Sequence, residues 1–138
     1  METFLTQAHK RIVQLVQKGM EQDVAVEEPI GRFRIDIYLP EYHIGIEVDG
    51  PTHSPRKDEE RDGELWADYG LPILRLPHNV TLQAANDVIE AFITGHYATI
   101  EARKNLWLQQ RSSLSREHPV CGRSSKRLRL QANSRPTG

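Results

Sequence analysis

Two short segments of alternating polarity, separated by three residues, constrain the fold of this chain more than any other feature. Residues 32–39 and residues 43–49 both carry an apolar side chain at every second position. This alternation predicts two β-strands, each with one apolar and one polar face. The connection between them is short enough to close an antiparallel hairpin, so we expect Asp36 to lie beside Glu47 on the polar face.

The rest of the chain predicts further elements through helical periodicity, β-rich texture and breaker residues. A helix is predicted within residues 3–18, a strand between residues 23 and 31, a helix from Pro55 to Tyr69 stopped by Gly70, a strand at residues 72–76, and two closing helices within residues 81–110. This order predicts an α/β sandwich with a central mixed sheet of about four strands flanked by helices.

Length and composition predict one domain over residues 1–112, followed by a basic and flexible tail over residues 113–138. Cys121 is the single cysteine, which excludes an internal disulfide. The sequence has neither a membrane-spanning apolar run nor the basic and apolar start of a signal peptide. We therefore expect a cytoplasmic protein with no membrane partner.

The net charge of -1 hides an uneven distribution. Residues 111–138 contain one acidic side chain, Glu117, and seven basic ones, which are Arg111, Arg116, Arg123, Lys126, Arg127, Arg129 and Arg135. A basic segment of this kind indicates a polyanionic partner such as DNA. A solvated tail without a partner is the alternative.

Three carboxylates of the predicted hairpin, those of Asp36, Glu47 and Asp49, share its polar face. Like charges in such proximity repel unless they are protonated or bridged by a cation. Mg²⁺ is suited to such a site, because it takes one or two carboxylates and completes its octahedron with water and phosphate oxygens. Mn²⁺ is a possible substitute. The alternative is an acidic face exposed to solvent.

The run R-I-D-I-Y-L-P-E-Y-H-I-G-I-E-V-D-G-P-T-H at residues 34–53 resembles the core of the PD-(D/E)XK nuclease superfamily. It is most similar to the branch of very-short-patch-repair (Vsr-like) endonucleases and their uncharacterised relatives. Two later pieces of that pattern follow, D-E-E-R at residues 58–61 and I-L-R-L at residues 73–76. The resemblance implies a restriction-endonuclease-like fold and covers about residues 26 to 80.

The resemblance also implies roles for individual residues. Asp36 and Glu47 match the two acidic metal ligands, and Val48 would offer its backbone carbonyl. Asp49 stands where the superfamily has a lysine, so the general base is open between Asp49 and His53. We favour His53, because a neutral imidazole transfers protons near pH 7.

The positive charge of the missing lysine could come from Lys57 or Arg61, which we also expect to contact nucleic acid, and Arg61 could instead form a helix ion pair. Other members of the expected nucleic-acid surface are Arg123, Lys126, Arg127 and Arg129. Candidates for a further acidic ligand are Glu2, Glu27 and Glu28. Trp66 and Tyr69 are expected in the core and His43 in solvent.

These features together predict a Mg²⁺-dependent DNA endonuclease or nickase that hydrolyses phosphodiester bonds. The resemblance implies that the product carries a 5′-phosphate. The alternative is a catalytically inactive nuclease fold that binds nucleic acid or serves in assembly. The chain could act as a homodimer or within a larger nucleic-acid-processing complex.

Overall fold

A computed structural model describes residues 7–50 and 54–117, with side chains up to Arg111. Its centre is a four-stranded sheet in the order β1-β2-β3-β4. The strands are β1 (Ala25–Ile30), β2 (Phe33–Leu39), β3 (Ile44–Asp49) and β4 (Ile73–Pro77). The first three strands pair antiparallel and β4 lies parallel to β3. The expected α/β architecture with a mixed sheet is confirmed.

Four helices flank this sheet. They are α1 (Gln7–Gln14), continued by a π-helical turn (Leu15–Gly19), α2 (Pro55–Tyr69), α3 (Leu82–Gly95) and α4 (Ile100–Glu117), with a 3₁₀ turn (Tyr97–Thr99) before α4. Gly70 ends α2 in the left-handed region with φ 63°, a conformation that favours glycine. None of the described helices is long and apolar enough to cross a membrane.

The last helix extends beyond the boundary expected from the sequence. It includes residues 113–117, which the sequence assigned to the tail. Residues 118–138, with most of the basic side chains of that segment, lie outside the described residues.

Buried apolar side chains form two cores, one on each face of the sheet. The first core joins the sheet to α1 and α3, and consists of Ile12, Val16, Ile37, Leu39, Ile44, Ile46, Leu76, Ala85 and Ile89. The second core joins the sheet to α2 and α4, and consists of Ile30, Ile35, Tyr38, Leu65, Leu71 and Trp107. The sheet is therefore the middle layer between two pairs of helices.

Strand β2 does not keep the strict alternation that its sequence predicts. Ile35 and Ile37, expected on one face, pack into different cores, with Ile35 in the second and Ile37 in the first. The expectation of one apolar face from Phe33 to Leu39 was therefore wrong, because the strand changes its exposed face near Asp36.

Backbone conformation explains this change of face. The pairing of β1 with β2 passes over Glu27 and Asp36, and Glu27 has φ 52°, outside the extended region. The pairing of β2 with β3 ends at Ile37. Instead of a ladder partner, the backbone N–H of Asp36 donates to Oε2 of Glu47 at 3.0 Å. Asp36 thus lies at a local break in the sheet.

Candidate active site

The break in β2 brings the acidic side chains of Asp36 and Glu47 close together. The Glu47 side chain is only 11% exposed, on β3 of the sheet. Burial raises the pKa of Glu47, and the negative charge of Asp36 raises it further, against the lowering effects of the Asp36 backbone N–H and of Arg61. The proximity of Asp36 and Glu47 expected from the hairpin register is present, and their combined charge is unfavourable because Glu47 is buried.

Arg61 brings a positive charge from α2 to this pair. Its Nη2 donates to Oε2 of Glu47 at 3.1 Å and to the backbone carbonyl of Arg34 at 2.8 Å. Its Nη1 donates to Asp62 at 3.4 Å, and the guanidinium lies 5.7 Å from the centre of the Phe33 ring. Arg61 is therefore positioned at the site, whereas the sequence left it open between this role and a helix ion pair.

His9 approaches the same pair from α1. Its Nε2 lies 3.2 Å from Oδ2 of Asp36, and the His9 side chain is 11% exposed. Sequence reasoning missed this residue, since the family-like motif begins well after α1. A signal was present, however, because His9 precedes the buried Ile12 by three positions and so shares the apolar face of the helix.

Asp49, the third carboxylate of the expected patch, has a separate cationic partner. Nη1 of Arg75 on β4 lies 2.7 Å from Oδ1 of Asp49, and the same guanidinium bonds Asp62 at 2.8 Å and lies 3.5 Å from Asp58. Burial penalises the charged form of Arg75, but hydrogen bonds and the charges of Asp62 and Asp49 outweigh that penalty and raise its pKa. The expected patch of three repelling acids is thus divided into a close pair and an arginine-bound carboxylate.

The other expected site residues have varied positions. Val48 is paired with Leu76 of β4, and Lys57 is exposed in the first turn of α2. Glu27 lies 3.8 Å from Arg34, and Glu28 is a buried residue of β1. Outside the described residues lie Glu2, His53, Arg123, Lys126, Arg127 and Arg129.

The interpretation of His43 as a solvated residue was wrong. His43 is fully buried, with Nδ1 2.7 Å from the Tyr38 hydroxyl and Nε2 2.9 Å from the Tyr69 carbonyl oxygen. Its ring stacks on Trp107 with centroids 6.0 Å apart. Burial lowers the pKa of His43 from 6.5 to about 4. His43 therefore belongs to the second core, beneath the hairpin turn.

The two aromatic residues of α2 differ from each other. Tyr69 packs against the second core, as expected, and its ring centre lies 5.6 Å from that of Trp107. Trp66 was expected in the core but is 49% exposed, with its ring 6.2 Å from that of His96. Helical spacing places Leu65 inward and leaves the adjacent Trp66 outward.

A divalent cation would find two carboxylates at this site, from Asp36 and Glu47. Across residues 7–50 and 54–117, no group of three or more His, Cys, Asp or Glu side chains is arranged to hold a metal ion. Two carboxylates nevertheless match what Mg²⁺ usually takes from a protein. The raised pKa of Glu47 beside Asp36 is the further sign that the donor set would gain from a cation.

The sequence matches no protein-family model and no curated protein.

Proposed function

We propose that this protein is a Mg²⁺-dependent endonuclease or nickase that hydrolyses phosphodiester bonds in DNA. The observation that carries the proposal is the close pair formed by the buried Glu47 and the partly exposed Asp36 at the break in β2, where the pKa of Glu47 is raised by burial and by Asp36. Holding two acids together in this setting costs stability unless a positive group compensates. That cost is a reason to propose a binding function for the pair.

Asp36 and Glu47 would hold the cation with their carboxylate oxygens, and Val48 would add its backbone carbonyl. When bound, a divalent cation supplies Lewis-acid stabilisation of the charge that grows on the phosphoryl oxygens. The protein's own part is then to position the phosphate, orient the attacking water and remove a proton from it. Attack on phosphorus would expel the 3′ oxygen and leave a 5′-phosphate.

Of the two candidates for the proton transfer, His53 is favoured over Asp49. Asp49 accepts a charged hydrogen bond from Arg75 at 2.7 Å. This oxygen of Asp49 is therefore already occupied by a charged donor within the protein. A histidine near its ordinary pKa of about 6.5 takes up a proton more readily at neutral pH.

The basic residues beyond α4 support DNA as the substrate. Positive side chains that contact phosphates release counterions from the duplex and so give affinity that does not depend on base sequence. Arg123, Lys126, Arg127 and Arg129 would serve this purpose, together with Lys57 in the first turn of α2 and Arg61 at the site.

A second function, nucleic-acid binding without catalysis, is favoured by a different observation. Glu47 is paired with Arg61 and Asp49 with Arg75, so two of the three acids already have positive partners within the protein. A site neutralised in this manner would be stable without any cation. Assembly or binding would then be the role of this fold.

Cleavage assays on several DNA forms separate the two functions. Supercoiled plasmid, linear duplex and single-stranded DNA are incubated with the full chain in Mg²⁺, Mn²⁺ or EDTA. We expect cleavage of at least one form with Mg²⁺ or Mn²⁺ and none in EDTA. The conservative variants Asp36→Asn and Glu47→Gln should lose cleavage, while Glu41→Gln, which changes an exposed acid in the hairpin turn, serves as the matched control.

Binding is measured in parallel by electrophoretic mobility shift. Wild-type cleavage that continues in EDTA or in either site variant would refute the metal-dependent nuclease. DNA binding without cleavage under every condition would instead support the binding function.

A further inference from the structure

Among the described residues, Oε2 of Glu47 accepts hydrogen bonds from two donors, one on the backbone and one on a long side chain. The backbone N–H of Asp36 at 3.0 Å is fixed by the strand, whereas the guanidinium of Arg61 at 3.1 Å is at the end of a long side chain. The Arg61 side chain is 22% exposed and the Glu47 side chain is 11% exposed. Arg61 is therefore the more exposed member of this pair, and it contacts an oxygen that a bound cation could also use.

A cation and Arg61 compete for the same negative charge. Both are positive, and both require an oxygen of Glu47. Binding of the cation therefore disfavours the contact between Arg61 and Glu47. Arg61 displaced from Glu47 would still be held near the site, because its Nη2 also bonds the Arg34 carbonyl at 2.8 Å and its guanidinium lies over Phe33. The displaced guanidinium would then have unused donors next to the carboxylate pair.

We propose that Arg61 exchanges partners, pairing with Glu47 when no divalent cation is bound and with a phosphate of the DNA backbone when a cation takes its place. This inference rests on the proposed function of the Asp36 and Glu47 pair. A guanidinium suits both partners, because its planar fork matches the geometry of carboxylate and of phosphate oxygens. The exchange couples cation binding to DNA binding, because the bound cation releases Arg61 and Arg61 then binds a phosphate of the DNA.

The exchange predicts opposite effects of one substitution in two assays. In Arg61→Gln, Mn²⁺ titrated calorimetrically into the full chain without DNA should bind roughly three- to tenfold more tightly, because a competing charge is gone. Arg61→Met is a second neutral variant that keeps an apolar stem against Phe33. Arg61→Lys keeps the charge and should bind Mn²⁺ within about twofold of wild type.

Arg32→Gln is the matched control for loss of one positive charge nearby. Arg32 also lies over Phe33, at 4.5 Å, but pairs with Glu64 and not with Glu47. Its substitution should leave Mn²⁺ affinity within about twofold of wild type, since its charge is exposed and screened. Thermal melting of each variant shows whether it is folded.

The second assay measures DNA affinity by fluorescence anisotropy of a labelled duplex, in EDTA and in Ca²⁺, which takes the same oxygen ligands as Mg²⁺. In wild type, Ca²⁺ should increase affinity by freeing Arg61. In Arg61→Gln and Arg61→Met this gain should disappear, while affinity in EDTA stays close to that of wild type.

Unchanged or weaker Mn²⁺ binding in both neutral variants would overturn the exchange and leave the proposed function intact. An equal loss of DNA affinity in EDTA and in Ca²⁺ would also overturn it, because Arg61 would then be a permanent DNA contact. Failure of wild type and all variants to bind Mn²⁺ would overturn the exchange together with the proposed metal site.

Discussion

Acidification from about pH 7 to about pH 5 should destabilise this protein through His43, in addition to any effect of its carboxylates. The neutral ring is well satisfied in the second core. Because the Tyr69 carbonyl can only accept, Nε2 of His43 carries the proton, and Nδ1 accepts from the Tyr38 hydroxyl. A second proton on Nδ1 would place a buried positive charge near Arg103 and Lys104, both of which also lower the pKa of His43.

The size of the effect is set by the two pKa values. The pKa of His43 is lowered from 6.5 to about 4 by folding. Between these values the unfolded chain binds the proton and the folded protein does not, so stability is lost as the pH falls through this window. The loss is about 2 kcal/mol at pH 5 and about 3 kcal/mol below pH 4, relative to neutral pH. A loss of about 2 kcal/mol lowers the melting temperature by roughly 6 to 10 °C in a domain of this size.

Urea unfolding between about pH 7 and pH 5 measures this contribution when wild type is compared with His43→Gln. Glutamine does not titrate and can still donate to the Tyr69 carbonyl, but it loses the stacking on Trp107. The variant should be less stable than wild type at neutral pH, and the difference should shrink by about 2 kcal/mol at pH 5. His78→Gln, at an exposed histidine after β4, is the matched control and should follow the wild-type profile.

A stability difference between wild type and His43→Gln that is the same at both pH values would refute this reasoning. It would mean that His43 takes up its proton equally well in the folded and unfolded states.

Two further predictions concern basic residues. Arg75→Gln should destabilise the fold by about 2 to 3 kcal/mol in urea unfolding, because Asp49 and Asp62 would lose their shared cation and repel each other. A variant as stable as wild type near neutral pH would contradict this. Residues 118–138 contain five basic and no acidic side chains. Their deletion should make the slope of log K for DNA binding against log salt concentration shallower, by up to about 0.9 per lost phosphate contact. An unchanged salt slope would show that this segment does not touch DNA.

Local sequence signals were sufficient for most of the fold. The period of two in residues 32–39 and 43–49, with a short connection between them, gave a hairpin whose register is confirmed by the pairing of Ile37 with Ile46. Gly70 marked the end of α2 because the left-handed conformation there favours glycine. In both cases the residues that determine the local structure lie within a few positions of the element they shape.

The remaining features depend on contacts between distant parts of the chain. The change of face at Asp36 coincides with a break in the β1–β2 ladder at Glu27, whose φ of 52° is not extended, and periodicity within β2 cannot reveal this. His43 is buried because Tyr69 and Trp107 from two helices cover it. Its polarity and its position beside a turn predicted solvent exposure, and tertiary packing overrode that local preference.

The same limit applies to the candidate site. The hairpin register alone predicts that Asp36 and Glu47 lie close together, but it does not predict their cationic neighbours. Arg61 was a candidate whose partner was open, and His9 was absent from the expected set. Both reach the carboxylates from helices on opposite faces of the sheet, α2 and α1. The layered fold brings them together, since they lie 52 positions apart in the sequence.

The place of Trp107 in the second core has a consequence for synthesis of the chain. Strand β4 ends at Pro77, so the sheet has all its strands about 30 residues before Trp107 is added. At ordinary translation speeds this interval lasts roughly 2 to 6 seconds. Trp107 cannot cover Ile30, Ile35 and Leu71 until α4 has been synthesised and has packed against the sheet. The second core therefore closes only after synthesis of the last described helix.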